Sequence, residues 1–170
     1  MDWYEPGEDT YTLMDALERE GLEMKIVLDL GTSTGVITEQ LRKRNTVVST
    51  DLNIRALESH RGGNLVRADL LCSINQESVD VVVFNPPYVP DTDDPIIGGG
   101  YLGREVIDRF VDAVTVGMLY LLVIEANRPK EVLARLEERG YGTRILKVRK
   151  ILGETVYIIK GEKSHHHHHH

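Results

Sequence analysis

Apolar runs of strand length alternate with amphipathic helical stretches almost from end to end of this 170-residue chain. That rhythm constrains the fold more than any other feature of the sequence. Residues 25–30 read as a buried strand, 46–51 as a second, 64–69 (Asn64 to Asp69) as a shorter third, 79–84 as a fourth and 119–124 as a fifth. Between them, residues 36–44, 104–117 and 129–139 carry helical periodicity. The last begins with a proline at a first-turn position and stops at Gly140. A further helix is predicted over residues 11–19, with Asp9 or Thr10 as its cap. Such alternation predicts an α/β domain whose mostly parallel sheet is joined by right-handed crossovers.

The rhythm changes at the end. Residues 144–152 and 155–160 are β-rich and separated by Gly153-Glu154, the signal of a two-residue hairpin. A sheet that is parallel until a closing antiparallel hairpin resembles the seven-stranded Rossmann-like fold of class I methyltransferases, whereas a dinucleotide-binding domain is expected to continue with parallel units. With 41% hydrophobic residues, the chain is expected to form one domain over residues 1–163, with an expression tag in 164–170. No apolar run reaches the roughly 20 residues of a membrane helix. Cys72 is the only cysteine, which excludes an internal disulfide and a cysteine-rich zinc site. A formal charge of −7 argues against non-specific binding to nucleic acid. The expected setting is the cytoplasm, with the nucleus as a second compartment.

Three acidic residues fall at carboxyl ends of predicted strands, the edge at which open α/β sheets bind ligands. Asp29-Leu30-Gly31-Thr32-Ser33-Thr34-Gly35 joins the first strand to a helix, and glycines there let the backbone turn tightly beside a ligand. Asp51 ends the second strand, at a spacing from Gly31 that suits a carboxylate accepting from two ribose hydroxyls. Asp69-Leu70 ends the third, where a carboxylate can accept from an adenine amino group. Each aspartate alone also reads as a helix cap or a solvated strand end. Ser33 stands where a G-x-G-x-G loop has its middle glycine.

Asn85-Pro86-Pro87-Tyr88 follows directly from the apolar fourth strand. Two prolines fix φ, remove two backbone donors and leave their carbonyls as acceptors, and the Asn side chain adds another acceptor. Two convergent carbonyls hold both hydrogens of a planar NH2 group, which aims the nitrogen lone pair at the methyl of a sulfonium. The Tyr ring can stack on the planar target. An amide or aromatic amine, whose delocalised lone pair needs orientation more than deprotonation, fits this arrangement. A rigid turn is the alternative reading of the same four residues.

Tyr4-Glu5-Pro6-Gly7-Glu8-Asp9-Thr10, the Asp29-Leu30-Gly31 turn, Asn85-Pro86-Pro87-Tyr88 and the segment from Gly99 to Phe110 together resemble the HemK-type glutamine methyltransferases, specifically their eukaryotic and archaeal branch. The resemblance covers essentially residues 3–162, and the N-terminal helical domain of bacterial members is not expected here. It implies S-adenosylmethionine as cofactor, with Thr10 near its methionine moiety, Asp29 and Gly31 at the amino acid part, Asp51 at the ribose, and Asp69 with the Leu70 backbone at the adenine. It implies that Asn85 and the Pro86 carbonyl grip the target amide, with Pro87 and Tyr88 completing the substrate site. The implied substrate is the glutamine of the Gly-Gly-Gln motif in a class I translation termination factor, methylated at N5. The implied partner is a small zinc-binding activator protein, forming an obligate heterodimer through the edge strand Asn64 to Asp69.

Other readings remain open on the sequence. The same four-residue motif serves adenine-N6 methylation of DNA, but duplex DNA requires base flipping and a recognition module. A protein lysine would arrive as a cation, with no obvious base to receive its proton. A nicotinamide-dependent oxidoreductase accounts for Gly31 and Asp51 but not for Asn85 to Tyr88, and a cofactor-binding regulatory subunit is the non-enzyme alternative. The glycine-rich stretch over residues 89–103 is expected to be a binding loop.

Overall fold

The computed structural model describes residues 7–31, 35–50, 71, 74–86 and 103–163. The expected third strand, Asp51, Asp69, Leu70, Pro87, Tyr88 and nearly all of the loop over 89–103 lie outside the described residues. In chain order the elements are α1 (Glu8–Glu20), β1 (Ile26–Leu30), α2 (Val36–Leu41), β2 (Thr46–Thr50), a 3₁₀ turn (Gln76–Ser78), β3 (Val81–Phe84), α3 (Glu105–Ala113), β4 (Met118–Ile124), a second 3₁₀ turn (Glu125–Asn127), α4 (Pro129–Glu138), β5 (Tyr141–Ile151) and β6 (Glu154–Lys163). The strands form one sheet of order β2-β1-β3-β4-β6-β5. The first four are parallel, and β6 enters antiparallel between β4 and β5. Six strands are therefore present among the described residues where seven were expected. No described helix is long and apolar enough to cross a membrane.

Helices cover both faces of the sheet, so its central strands are apolar on both faces, apart from Asp29 near the end of β1, rather than alternating. All four residues of β3 are buried. On one face Leu28, Leu30, Val82, Phe84, Leu119 and Leu121 pack against α3 and α4, and the rings of Phe84 and Phe110 lie with centroids 4.9 Å apart. On the other, Val27, Val81, Val83, Tyr120 and Leu122 pack against Leu13, Ala16 and Leu17 of α1 and Ile37 and Leu41 of α2. Each such aliphatic side chain contributes about 1.5–3 kcal/mol on leaving water.

Two local expectations are corrected. The helix predicted over 11–19 begins at Glu8 with Gly7 as its N-cap, so Asp9 and Thr10 lie within its first turn and neither caps it. The hairpin turn is Leu152-Gly153, one position earlier than expected, because Ile151 pairs with Glu154 and Gly153 takes the left-handed φ of 75°.

One polar cluster sets the tilt of α1. The hydroxyl of Tyr120, in the middle of the sheet, donates to Glu20 Oε1 at 2.8 Å, and Lys160 Nζ donates to the same oxygen at 2.7 Å. Nearer the other end of the helix, Arg149 of β5 reaches Asp15 at 3.0 Å and Glu8 at 3.4 Å. The first turn of α1 is thereby held at the carboxyl edge of β3 and β4.

Candidate active site

The register places the site. Leu30 pairs with Phe84, so the residues that follow, Gly31 and Asn85, leave the sheet side by side at its carboxyl edge. Asn85 is half-buried and Pro86 buried. Thr10, 4% exposed, reaches the same place from α1, and Asn85 Nδ2 donates to Thr10 Oγ1 at 3.3 Å. Three segments far apart in sequence thus bring Thr10, Asp29, Gly31, Asn85 and Pro86 to one edge. The remaining candidates, Asp51, Asp69, Leu70, Pro87 and Tyr88, lie outside the described residues.

Asp29 is a buried carboxylate, 4% exposed, one residue before the end of β1 and the glycine turn. Thr38 Oγ1 of α2 donates to Asp29 Oδ2 at 2.6 Å and also lies 2.6 Å from Ser49 Oγ of β2. The N–H of Gly31 donates to Thr50 Oγ1 at 3.3 Å. Gly31 at φ 72° and Gly35 at φ 82° both lie in the left-handed region, which explains glycine at each end of this turn. The sequence reading did not single out Thr38, Ser49 or Thr50. Thr38 bonds Asp29 and Ser49, and Thr50 accepts from Gly31, relations that only the packing of α2 and the pairing of β1 with β2 reveal.

The far side of the edge is held by Arg104. Its side chain, 11% exposed, donates from Nε to Asp108 at 2.9 Å and from Nη1 to Glu131 at 2.8 Å and the Asn127 carbonyl at 3.3 Å. Burial lowers its pKa, but the hydrogen bonds to Glu131 and Asp108 outweigh that and hold it above the ordinary arginine value. One guanidinium therefore ties α3, the turn after β4 and α4 together. Asn127 is fully buried and accepts from the Ile124 N–H at 2.9 Å, which fixes the end of β4.

Chemically, this edge offers a buried carboxylate, a glycine turn and a side-chain amide, and no described cluster of His, Cys, Asp or Glu could hold a metal ion. A buried carboxylate beside a permissive turn matches a ligand that carries a positive charge on an amino acid. An amide oxygen beside proline carbonyls matches a neutral NH2 group.

Residues 5–97 match the family Methyltransferase small domain. The chain is 34% identical to human "Methyltransferase HEMK2", covering 96% of this chain and 91% of that one. It is 27% identical to the "eRF1 methyltransferase catalytic subunit mtq2" of Schizosaccharomyces pombe, over 94% and 89%. Among solved structures, a protein-(glutamine-N5) methyltransferase (release factor-specific) from Alicyclobacillus acidocaldarius superposes with a TM-score of 0.56 at 20% identity, covering 94% of each chain. The fold is the Rossmann-like methyltransferase fold. The chain belongs to the methyltransferase small domain family, in the HemK-type group. It is an enzyme, and S-adenosylmethionine is its methyl donor.

The residues present fit that donor. Asp29, a buried carboxylate hydrogen-bonded by Thr38, is of the charge that complements the donor's amino acid end, and Gly31 beside it takes the left-handed φ of 72°.

Proposed function

We propose that this chain methylates the side-chain nitrogen of a glutamine in the Gly-Gly-Gln motif of a class I translation termination factor. The observation that carries the reading is the seating of Asn85. Buried β3 delivers it to the carboxyl edge, and its Nδ2 is engaged by Thr10, so Oδ1 is the atom left to accept from a substrate N–H. The names of the relatives, which include an eRF1 methyltransferase subunit and a release factor-specific glutamine methyltransferase, support the same substrate class.

Bound S-adenosylmethionine supplies an electrophilic methyl on a sulfonium. The chain's own residues act on the acceptor. Asn85 Oδ1 and the Pro86 carbonyl accept hydrogen bonds from the two N–H groups of the amide and so aim its nitrogen lone pair toward the donor. Tyr88 packs on the amide plane. Holding the acceptor in one orientation lowers the barrier, as effective concentration does in any positioned reaction. Asp29 and Gly31 bind the amino acid end of the donor, and Asp51, Asp69 and the Leu70 backbone bind its nucleoside.

The partner belongs to the same proposal. A small zinc-binding activator protein pairs with the edge strand from Asn64 to Asp69, adding a strand to the sheet, and the complex works in the cytoplasm. Supporting this, one relative carries the name of a catalytic subunit, the eRF1 methyltransferase subunit mtq2 of Schizosaccharomyces pombe.

The test uses labelled methyl donor with three acceptors: the termination factor, its Gln→Ala variant at the Gly-Gly-Gln motif, and duplex DNA. Label entering the factor and lost in the Gln→Ala variant is the expected result. Label in DNA, or undiminished in the variant, overturns the reading.

A further inference from the structure

Seven large hydrophobic side chains of the described residues are exposed, and three of them lie on the closing hairpin: Ile145 at 38%, Val148 at 53% and Leu152 at 100% exposure. An irregularity in register between Ile145 and Lys147 brings the first two to one face. Residues three apart on a regular strand face opposite sides, but the extra residue, Leu146, turns to the α1 face and restores Ile145 and Val148 to the same one. Their partners across the pair, Ile159 and Tyr157, confirm the face, since both belong to the cluster under α3 and α4. Lys150, paired with Thr155, follows on that face and is exposed. Helix α4 reaches the start of β5, where Thr143 bonds Glu137, and leaves this end uncovered.

The strip lies at the active-site edge. Ile124, the last residue of β4, pairs with Val156, so the hairpin overshoots the sheet and Leu152 stands at the tip on the side where Asn85 emerges. Strand β5 is three places from β3 in the sheet, about 14 Å at the usual inter-strand spacing. A glutamine side chain in the site cannot span that distance, whereas the folded domain that carries it can. The hairpin is also basic in an acidic protein. Its two strands hold six cations against two carboxylates in a chain of net charge −7; Arg149 and Lys160 are occupied by α1, Arg144 and Lys147 share the α1 face, Lys163 lies over the Tyr141 ring at the far end, and Lys150 is the cation beside the strip. Lysines on an edge strand ordinarily guard against unwanted pairing, which accounts for Lys147 and Lys150. It does not account for Ile145, Val148 and Leu152 beside them, which a protective edge would exclude.

We infer that this strip is a docking surface for the protein substrate outside its methylated loop, taking an apolar ridge flanked by carboxylates. The inference rests on the proposed termination-factor substrate and adds where that protein is recognised beyond the active site. Apolar contact supplies affinity at the tip, and Lys150 on the same face favours a carboxylate beside the ridge.

The test compares the whole factor with a short peptide that carries only its Gly-Gly-Gln segment. Leu152→Asp combined with Lys150→Glu should raise KM for the factor by about tenfold or more, equivalent to roughly 1.4 kcal/mol of binding. Turnover at saturation, and every constant for the peptide, should stay within about twofold. Val148→Asp should act in the same direction, and Leu152→Asp alone, at a fully exposed position, provides the variant whose folding is secure. An unchanged KM for the factor overturns the inference, as does equal loss on factor and peptide. If wild-type protein retains polyuridylate but not the factor, and Lys150→Glu loses it, the strip is a nucleic-acid surface and the inference fails. A wild-type chain that methylates neither factor nor peptide removes the substrate reading itself, and this inference with it.

Discussion

Asn85 donates its side-chain amide to the hydroxyl of Thr10 across 75 positions of sequence, at 3.3 Å. A side-chain amide presents one donor face and one acceptor face, so engaging Nδ2 leaves Oδ1 as the atom that meets the substrate in the proposed reaction. Thr10 is therefore a positioning residue for Asn85. Thr10→Val, which keeps the shape and removes the hydroxyl, should lower kcat about tenfold, the worth of one oriented hydrogen bond, while Thr10→Ser retains most of the activity. If Val and Ser variants have equal turnover, the hydroxyl has no such role.

Asn85→Ala removes the acceptor itself. Turnover should fall by about 10²–10³-fold, as when a preorganised polar contact to the reacting group is deleted, and calorimetric affinity for S-adenosylmethionine should change little. Near-normal turnover would show that the amide is held by other groups.

Asp51→Ala should weaken binding of the methyl donor by about 1.5–3 kcal/mol, the range for hydrogen bonds to a charged group, with an unchanged circular dichroism spectrum. Unaltered affinity on titration would reduce Asp51 to a strand end.

The anchor of α1 predicts an acid dependence of stability. Burial pushes the Glu20 carboxyl up, but hydrogen bonds from Lys160 and Tyr120 outweigh it and hold the group below its ordinary value. A carboxyl depressed in the folded state contributes stability above its unfolded pKa and loses it as pH falls through the folded one. Glu20→Gln should accordingly lower Tm at neutral pH, and the gap from wild type should close on acidification below the ordinary carboxylate range. A gap that persists at low pH would assign the effect to packing instead.

Arg104→Leu should cost about 1–3 kcal/mol in denaturant melts, because two carboxylates and a carbonyl lose a common donor. Arg104→Lys should recover only part, since an ammonium cannot span three acceptors with the planar fork of a guanidinium. Full recovery with Lys would mean that charge alone matters there.

Much of the molecule is legible one residue after another. The continuous apolar runs of β1, β3 and β4 state that these strands are covered on both faces, and Pro129 and Gly140 bracket α4 through backbone chemistry alone. Asp29, Gly31, Asn85 and Pro86 are recognisable because each lies at or just past the end of a strand, and in a parallel sheet the carboxyl ends of strands share one edge. Local signals failed where two readings were chemically equivalent. Asp9 and Thr10 are both good caps, yet Gly7 opens the helix, and Thr10 instead meets Asn85, a partner that no local window contains. The turn moved to Leu152-Gly153 because cross-strand pairing sets register, and glycine supplies the left-handed conformation from the second position as readily as from the first.

By itself, then, the sequence determined the strand and helix periodicities, the sheet edge at which Asp29, Gly31 and Asn85 gather and the acceptor group that Asn85 brings to it, since all of these follow from side-chain spacing and backbone chemistry. Only the tertiary structure decided which hydroxyl orients Asn85, which threonine faces Asp29 and which guanidinium joins α3 to α4. It also decided that a single extra residue, Leu146, puts Ile145 and Val148 on one face. Those relations join groups far apart along the chain, and their geometry comes from sheet order and register, which no local pattern of residues encodes.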